Sequence, residues 1–214
     1  MTEPCTSTTR PSPHWSSGGA PHAPGGPLDL VLTRQSPLTL KAPGPDAPTL
    51  RAMIAAATCG PDHGRLAPWR FVVIEGDGRQ ALGRVLRESL RRRLSNADEA
   101  MLRREEAKAL RAPTIVVVAA HLRDDVAIPA VEQVVAAGIA AYNVLLAAHA
   151  FGLGGIWRTG ANAYDADVTH ALGLGEHMTI VAFLYLGTPD ALPRPRAAAD
   201  IDACVSCWPA PGSG

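Results

Sequence analysis

The chain has 214 residues, which is enough for one domain with a sizeable hydrophobic core. Its 20 basic residues balance 20 acidic ones, so the net charge does not favour a nucleic-acid or other polyanionic partner. No stretch has the length and unbroken apolarity expected of a membrane span, and the first residues lack the basic start and apolar core of a secretory signal. We therefore predict a cytoplasmic protein without a nucleic-acid or membrane partner.

Composition changes sharply at both ends of the chain. Residues 1–27 are rich in Pro, Gly, Ser and Thr and have no hydrophobic period, so they cannot bury enough apolar surface to offset the entropy of ordering. We predict a disordered extension there, a folded domain over 28–189 and a Pro- and Ala-rich tail over 190–214. In that tail, Cys204 and Cys207 form a CVSC motif, which by itself fits half of a zinc site or a redox pair. No further ligands accompany it, so we predict no shared function for the two cysteines and no metal site.

The first half of the domain contains four predicted helices, with one strand between the second and the third. LDLVLTR predicts a short helix ending near Arg34, and PTLRAMIAAATC predicts a second one that Pro48 helps to start. FVVIEG, residues 71–76, is rich in β-branched residues and predicts a strand. Residues 79–94 then have the apolar period of an amphipathic helix. A charged helical segment, DEAMLRREEAKAL, follows it.

The second half contains the strongest patterns. TIVVVAAH, residues 114–121, is a continuous apolar run and predicts a strand buried on both faces. AVEQVVAAGIAAYNVLLAAHAFG is small and apolar nearly all round, which predicts a central buried helix. GGIWR predicts a short strand or turn, DADVTHALG a short helix capped by Asp165, and TIVAFLYLG, residues 179–187, a final strand. Strands separated by helices indicate a single α+β domain with helices against a central sheet.

Common catalytic motifs are absent from the sequence: GxGxxG after a strand, GxxxxGK[ST], HExxH and GxSxG. Three polar segments remain, which are TRQSP (33–37), CGPDHGRLAPWRF (59–71) and FGLGGIWRTG (151–160). In TRQSP, the guanidinium of Arg34 and the hydroxyl of Ser36 are groups that bind a phosphate. An arginine at the end of a helix is also explained by a favourable interaction with the helix dipole. The segment CGPDHGRLAPWRF is also consistent with a purely structural loop. The tryptophan of FGLGGIWRTG is also consistent with a residue of the hydrophobic core. No one of them decides the function.

The order and spacing of these segments resemble the nitroreductase family, in particular its compact bacterial branch. R-x-S stands near the start, PDH and PW precede FVVIEG, and GGIWR-G precedes FLYLGTP, so that the resemblance covers residues 28–189. It implies a mainly antiparallel central sheet flanked by helices and an intertwined homodimer. It also implies FMN as cofactor and NADH or NADPH as reductant. The flavin would pass hydride to a small electron-poor acceptor such as a nitroaromatic compound or a quinone.

The same resemblance implies which residues form the site. Those around FMN would be Arg34, Gln35 and Ser36 at its phosphate and ribityl end, Trp157, Arg158 and Thr159 along the flavin, and Cys59 and His63 from the other subunit. Those at the nicotinamide nucleotide would be Ala147, Ala148, His149, Ala150, Phe151 and Gly152. Gly154 and Gly155 would let the chain pass close to the flavin. The catalytic residue stays unknown, because hydride transfer through a cofactor asks mainly for positioning from the protein.

The sequence departs from the family pattern where basic residues are common. Gln35, Thr39 and Cys59 stand at such positions, and each missing guanidinium removes a phosphate contact worth about 1.5–3 kcal/mol. Two lost contacts would weaken FMN by about two to four powers of ten, unless Arg65 or Arg70 compensates. Two alternatives therefore stay open: a non-catalytic flavin or small-molecule binding protein on this fold, and a flavin-dependent dehydrogenase or enzyme of reductive substituent removal.

Overall fold

The structure is a computed structural model that describes residues 25–191, 199–206 and 208. Within these residues the chain forms six α-helices and five β-strands. In chain order they are α1 (Pro27–Thr33), β1 (Leu40–Lys41), α2 (Ala47–Ala57), β2 (Trp69–Glu75), α3 (Asp77–Arg93), α4 (Glu99–Glu106), β3 (Thr114–His121), α5 (Ala130–Ala150), β4 (Gly154–Arg158), α6 (Ala166–Ala171) and β5 (Met178–Pro189). Most of the predicted N-terminal extension lies outside the described residues, and so does Cys207.

The five strands form one antiparallel sheet, which confirms the predicted α+β fold with a mainly antiparallel sheet. The strand order is β1-β5-β3-β2, with β4 also paired to β5. β3 lies between β2 and β5 and is buried from Thr114 to Ala120, as its continuous apolar run predicts. β5 is long enough to pair with β3 along one edge and with β4 and β1 along the other. GGIWR is therefore a strand, and β5 holds it in place.

Helices cover both faces of the sheet, and alternate residues of each strand contribute to each side. On one side, here called the α3 face, Ile115 and Val117 of β3 pack with Leu82 and Leu86 of α3. On the opposite side, the α5 face, Val116 and Val118 pack in a second cluster. The helical members of that cluster come from α2 and α5: Leu50, Met53, Ala57, Ala140, Ala141, Val144, Leu145 and Ala148.

Helix α5 is the longest element of the described chain, with 21 residues. By length and composition alone it could cross a membrane, so the expectation that no stretch qualifies is wrong. A buried core helix of a soluble protein meets the same criterion. The buried side of α5 is built of small residues, among them Ala137, Ala140 and Ala141, which are fully enclosed. Small side chains let the helix approach the sheet closely.

We expect Gly83→Ala to destabilise the fold, because α3 approaches the end of α4 at this glycine. A Cβ on Gly83 would lie 2.8 Å from the backbone oxygen of Glu106. A Cβ on Gly138 in α5 would meet its nearest atom at 4.0 Å, so Gly138→Ala is the matched control. In both variants, replacing glycine by alanine inside a helix stabilises that helix by up to about 1 kcal/mol. Gly83→Ala alone carries an overpacking cost of about 1–3 kcal/mol.

Chemical denaturation of the two variants at one protein concentration measures this difference. Gly138→Ala should unfold at the same or higher denaturant concentration than the unmodified protein, and Gly83→Ala at a lower one. Equal midpoints for both variants would contradict the close approach of α3 to α4.

Candidate functional site

The segment TRQSP lies against the C-terminal half of α5. Thr33 Oγ1 is 2.9 Å from Nε2 of His149 in the last turn of that helix. The guanidinium carbon of Arg34 lies 6.0 Å from the ring centroid of Tyr142, within the range of a cation–π contact. α1 ends at Thr33 because Arg34 leaves the helical region, with φ −59° and ψ 124°. The chain then runs away from the helix toward β1.

The start of β4 packs against the chain that follows the RQS segment and against α5. Two glycines make this close packing possible. A Cβ on Gly154 would lie 2.6 Å from Leu40 Cδ2, and one on Gly155 would lie 2.5 Å from Leu145 Cδ2. Both glycines are thus required for packing within the protein. That the chain passes close to a flavin here stays a prediction. Their effect is to bring the chain after the RQS segment and the end of α5 against β4.

Adjacent residues of β4 point to opposite faces of the sheet, because side chains alternate along a strand. Trp157 packs against the cluster on the α5 face. Arg158 lines a hollow on the α3 face together with Tyr185, and Trp157, Thr159 and Gly160 line the same hollow. Thr159 and Gly160 follow the strand and are exposed. Gly160 has φ 68°, so its backbone adopts a conformation that side chains disfavour, and the chain turns there.

Several polar groups of the RQS segment and of the end of β4 have unused hydrogen-bonding capacity. Within the described residues, no hydrogen bond or ion pair engages the Arg34 guanidinium, the hydroxyls of Ser36 and Thr159, or the Trp157 indole N–H. Gln35 is likewise half-buried without a side-chain partner there. A molecule bound here would therefore meet a cation, two hydroxyls, an amide and an indole.

The residues predicted for the nicotinamide nucleotide differ in exposure. Ala148 is fully buried in the cluster of the α5 face, so its side chain is not available to a ligand. His149 is half-buried beside Thr33. Ala150, Phe151 and Gly152 are exposed where α5 ends. Ala147 is partly buried and packs against the same cluster as Ala148. The accessible part of this stretch is its last three residues.

His63, by contrast, lies at the other end of α5. Its Nδ1 is 2.6 Å from Oε2 of Glu132 in the first turn of the helix. His149 comes seventeen residues after Glu132, which corresponds to about 25 Å along the axis of α5. Within one chain, His63 therefore does not reach the RQS segment. Cys59 is exposed beside the middle of α5, with its Sγ 3.4 Å from the carbonyl oxygen of Ala55.

Neither arginine expected to compensate for the missing basic residues lies near Arg34 in the same chain. Arg70 donates to the carbonyl oxygens of Ala67 and Trp69 at 2.9 and 2.8 Å, so its guanidinium is engaged by its own loop. Arg65 belongs to the short 3-10 helix His63–Arg65 and therefore lies with His63. Any compensation within one chain must come from other residues.

A buried polar network holds the turn that follows β4. Asn162 donates from Nδ2 to Oε1 of Glu105 at 2.7 Å, and its Oδ1 accepts from Nη2 of Arg93 at 2.8 Å. The hydroxyl of Ser89 on α3 donates to the carboxylate of Asp165. These contacts fasten the turn carrying Thr159 and Gly160 to α3 and α4. The sequence analysis missed them, because each joins residues far apart in the chain.

Two carboxylates of this network are held ionised. Burial opposes ionisation of Asp165, but hydrogen bonds from Ser89 and from the backbone N–H of Asp167, together with the charge of Arg93, lower its pKa. The Asp167 contact, at 2.9 Å, confirms the predicted cap of α6. For Glu105 burial again opposes ionisation, and its contacts, first of all with Lys108, lower the pKa.

Comparison with known proteins gives the class. The model of the Nitroreductase family matches residues 31–188, so the chain belongs to the nitroreductase family. It is 37% identical over 162 residues to "Putative NAD(P)H nitroreductase YdjA" of Escherichia coli strain K12, covering 76% of this chain and 87% of that protein. These matches confirm the family that the sequence motifs indicated.

Solved structures share the fold. The nitroreductase-like family protein from Bacillus cereus superposes with a TM-score of 0.75 at 24% identity, covering 88% of this chain and 98% of that one. A nitroreductase from Desulfovibrio desulfuricans, solved in complex with FMN, superposes with a TM-score of 0.64 at 23% identity, covering 83% and 95%. At these identities the likeness concerns the fold.

We expect Asp165→Asn to weaken the fold in a pH-dependent way. Because folding lowers the pKa of Asp165, its ionised form stabilises the protein. That contribution is complete above the unfolded-state pKa and is lost as the pH falls through the folded-state value. At pH near 7 the substitution should cost about 1 kcal/mol of unfolding free energy, because the neutral amide loses the charge-assisted contacts of the carboxylate with Ser89 and Arg93. The difference from the unmodified protein should shrink below about pH 4.

Denaturant titrations at neutral and acid pH test this dependence. Asp124→Asn is the control, since Asp124 is exposed and makes no side-chain contact within the described residues. It should change the unfolding free energy by less than about 0.5 kcal/mol. If Asp165→Asn had the same loss of unfolding free energy at acid pH as at neutral pH, the stabilising role of the Asp165 charge would be contradicted.

Proposed function

We propose that the protein is an FMN-dependent oxidoreductase that takes hydride from NADH or NADPH and passes it through the flavin to an electron-poor acceptor, such as a nitroaromatic compound or a quinone. Family membership supports this proposal, as does the name of the E. coli relative, which specifies an NAD(P)H nitroreductase. The observation that carries it is the set of unengaged polar groups in the RQS segment and at the end of β4, where Trp157, Arg158 and Thr159 line a hollow.

The residues present fit FMN. The unengaged guanidinium of Arg34 suits a phosphate, with which it forms charge-assisted hydrogen bonds. The Gln35 amide and the Ser36 hydroxyl suit the hydroxyls of a ribityl chain. Trp157 supplies a flat, half-buried surface for the ring system, and Thr159 lies just beyond it. Arg158 belongs to this group through its main chain, because its side chain lies on the α3 face.

Bound FMN would supply the capacity to accept and return hydride, which no side chain has. The chain's own task is then to bind and to orient. Arg34 fixes the phosphate end, the network around Asn162 holds the turn at Thr159, and Trp157 covers the α5 face of β4. The nicotinamide nucleotide would approach over the exposed residues Ala150–Gly152. Positioning of this kind accounts for the lack of an acid–base pair in the sequence.

We also propose that the protein acts as a homodimer. Large apolar side chains of α1 and α5 are exposed, which is typical of a surface covered by a partner. They are Leu28, Val31, Leu32, Val131, Val135 and Tyr142. A two-fold symmetric dimer places the same patch of both chains together, so a loop at one end of α5 can reach the opposite end of the partner's helix. That arrangement would bring Cys59 and His63 of one chain toward the RQS segment of the other.

Arg34→Gln is expected to weaken the binding of FMN but not that of riboflavin, which lacks the phosphate. Loss of one charge-assisted contact predicts an FMN dissociation constant about tenfold higher or more. Arg51→Gln is the matched control, because Arg51 is an exposed arginine of α2 without a side-chain partner in the described chain. Flavin fluorescence titrations of the unmodified protein and both variants measure the dissociation constants of FMN and of riboflavin. An equal loss for both flavins would show that Arg34 does not hold the phosphate.

Turnover distinguishes the enzyme from a non-catalytic binding protein. The FMN-loaded protein should oxidise NADH or NADPH steadily once a nitroaromatic compound or a quinone is added, with the parallel double-reciprocal lines of a ping-pong cycle. Trp157→Ala should lower kcat/KM by about tenfold or more, because the ring system loses its support. A protein that retains FMN but oxidises neither nucleotide would favour the binding-protein alternative. A protein that takes up no FMN would overturn the proposal.

A further inference from the structure

His63 and Glu132 form a histidine–carboxylate pair at the N-terminal end of α5. Nδ1 of His63 lies 2.6 Å from Oε2 of Glu132. Glu132 belongs to the first turn of the helix, where the helix dipole favours a negative charge. An ionised carboxylate only accepts hydrogen bonds, so Nδ1 is the ring nitrogen that carries a proton. The pair thereby fixes the orientation and the tautomer of the imidazole.

The other ring nitrogen of His63 is free to act on a bound molecule. No described residue makes a hydrogen bond or an ion pair with Nε2. The His63 side chain is 64% exposed, so water reaches the ring. Histidine side chains exchange a proton with water in the physiological pH range. Because Nδ1 is bound to Glu132, this exchange takes place at Nε2.

The loop that carries His63 has a backbone conformation that side chains disfavour. Gly64, Arg65 and Ala67 have φ of 71°, 54° and 47°, and two of these residues are not glycine. The N–H of Ala67 donates to Oδ2 of Asp62 at 2.6 Å and closes the loop. Strained residues of this kind cluster at functional sites, where the surrounding structure holds them. An exposed ion pair adds little stability, so the pair with Glu132 does not by itself account for the strain.

Neighbouring residues support the pair on a fixed base. A Cβ on Gly64 would overlap Cδ1 of Ile128, so this glycine lets the His63 loop lie directly on the segment before α5. The buried amide of Gln133 holds that segment in turn. Its Nε2 donates to the carbonyl oxygens of Arg123 and Ile128 at 2.9 and 3.0 Å, and its Oε1 accepts from the N–H of Arg123 at 2.8 Å. Rigid support of this kind is what an oriented functional group requires.

Reduction of a quinone needs a proton in addition to the hydride. The hydride brings two electrons and one hydrogen, and it leaves a hydroquinone anion with a negative oxygen. A proton on that oxygen completes the hydroquinone. The groups assigned above to binding and orientation do not supply this proton. In enzymes the side chain that does so is most often a histidine that a second group orients.

We propose that His63 donates this proton to the acceptor and that Glu132 is the positioning residue that orients it. The inference rests on the proposed function, because the proposed homodimer brings His63 of one chain toward the RQS segment of the other. The proton on Nε2 passes to the oxygen of the hydroquinone anion, and the imidazole stays neutral with its proton on Nδ1. Water then returns a proton to Nε2, and Glu132 stays ionised throughout. No sequence pattern shows the pair, since 69 positions separate its members.

Nitrogen NMR of the histidine rings in the full-length protein tests the role of Glu132 without turnover. At a pH where the ring is neutral, the proton of His63 should reside on Nδ1. Glu132→Ala should move it to Nε2, the nitrogen that free histidine prefers to protonate. Glu176→Ala is the matched control, because Glu176 is an exposed glutamate without a side-chain partner in the described chain. A His63 ring protonated on Nε2 in the unmodified protein would overturn the role of Glu132.

Turnover of the FMN-loaded protein with two acceptors tests the proton transfer. A quinone takes up a proton on reduction, whereas ferricyanide takes one electron and no proton. His63→Gln should lower the ratio of kcat/KM for the quinone to kcat/KM for ferricyanide by about a hundredfold. Glu132→Ala should lower this ratio by a smaller factor. Glu132→Gln should restore part of it, because the amide oxygen still accepts from Nδ1.

The two acceptors separate the possible outcomes. Glu176→Ala should leave the ratio unchanged. An unchanged ratio in His63→Gln, or an equal loss for both acceptors, would overturn the proton transfer, because His63 would then serve only binding or folding. Absence of turnover with ferricyanide in the unmodified protein would defeat the proposed oxidoreductase function and the proton transfer together. In that case the NMR result on the tautomer would be unaffected.

Discussion

Gly155 lacks a side chain, and Leu145 of α5 occupies the space beside it. Any Cβ at that position would come within 2.5 Å of Leu145 Cδ2, so the contact between α5 and β4 depends on this glycine. The alanines on the buried side of α5 have the same effect along the rest of the helix, since larger side chains would hold it further from the sheet. The last turn of α5, the RQS segment and β4 meet because this packing is close.

The alternation of side chains along β4 gives the two faces of the sheet different chemistry. Trp157 packs with the apolar cluster of the α5 face, and Arg158 lines the hollow beside Tyr185 on the α3 face. A single five-residue strand thus contributes to both faces, and Trp157, Arg158 and Thr159 all line the hollow on the α3 face.

The sequence was a good guide to the elements and a weaker guide to their contacts. TIVVVAAH predicted β3 residue for residue, because a short continuous apolar run is typical of a strand that is buried on both faces. The cap at Asp165 was also correct, since a cap is a local interaction. β1 was missed because two residues carry no periodic pattern. It exists only through its pairing with Thr188 and Pro189 of β5.

The candidate site shows the same division. The spacing of RQS, PDH and GGIWR was enough to identify the family, which the comparisons confirm. The opposite directions of Trp157 and Arg158 could have been found from the period of two in a strand, but the sequence alone left GGIWR between strand and turn. The contact of Ser89 with Asp165 joins residues 76 positions apart, and no sequence pattern indicates it. The sequence did not indicate that Gly154 and Gly155 leave room for Leu40 and Leu145, because both contacts join residues of different elements.

A crystal structure of the protein with FMN bound tests the central claim most directly. The account predicts the phosphate within hydrogen-bonding distance of Arg34 and the ring system in contact with Trp157 and Thr159. A phosphate held away from Arg34, or a ring system without contact to Trp157, would contradict it.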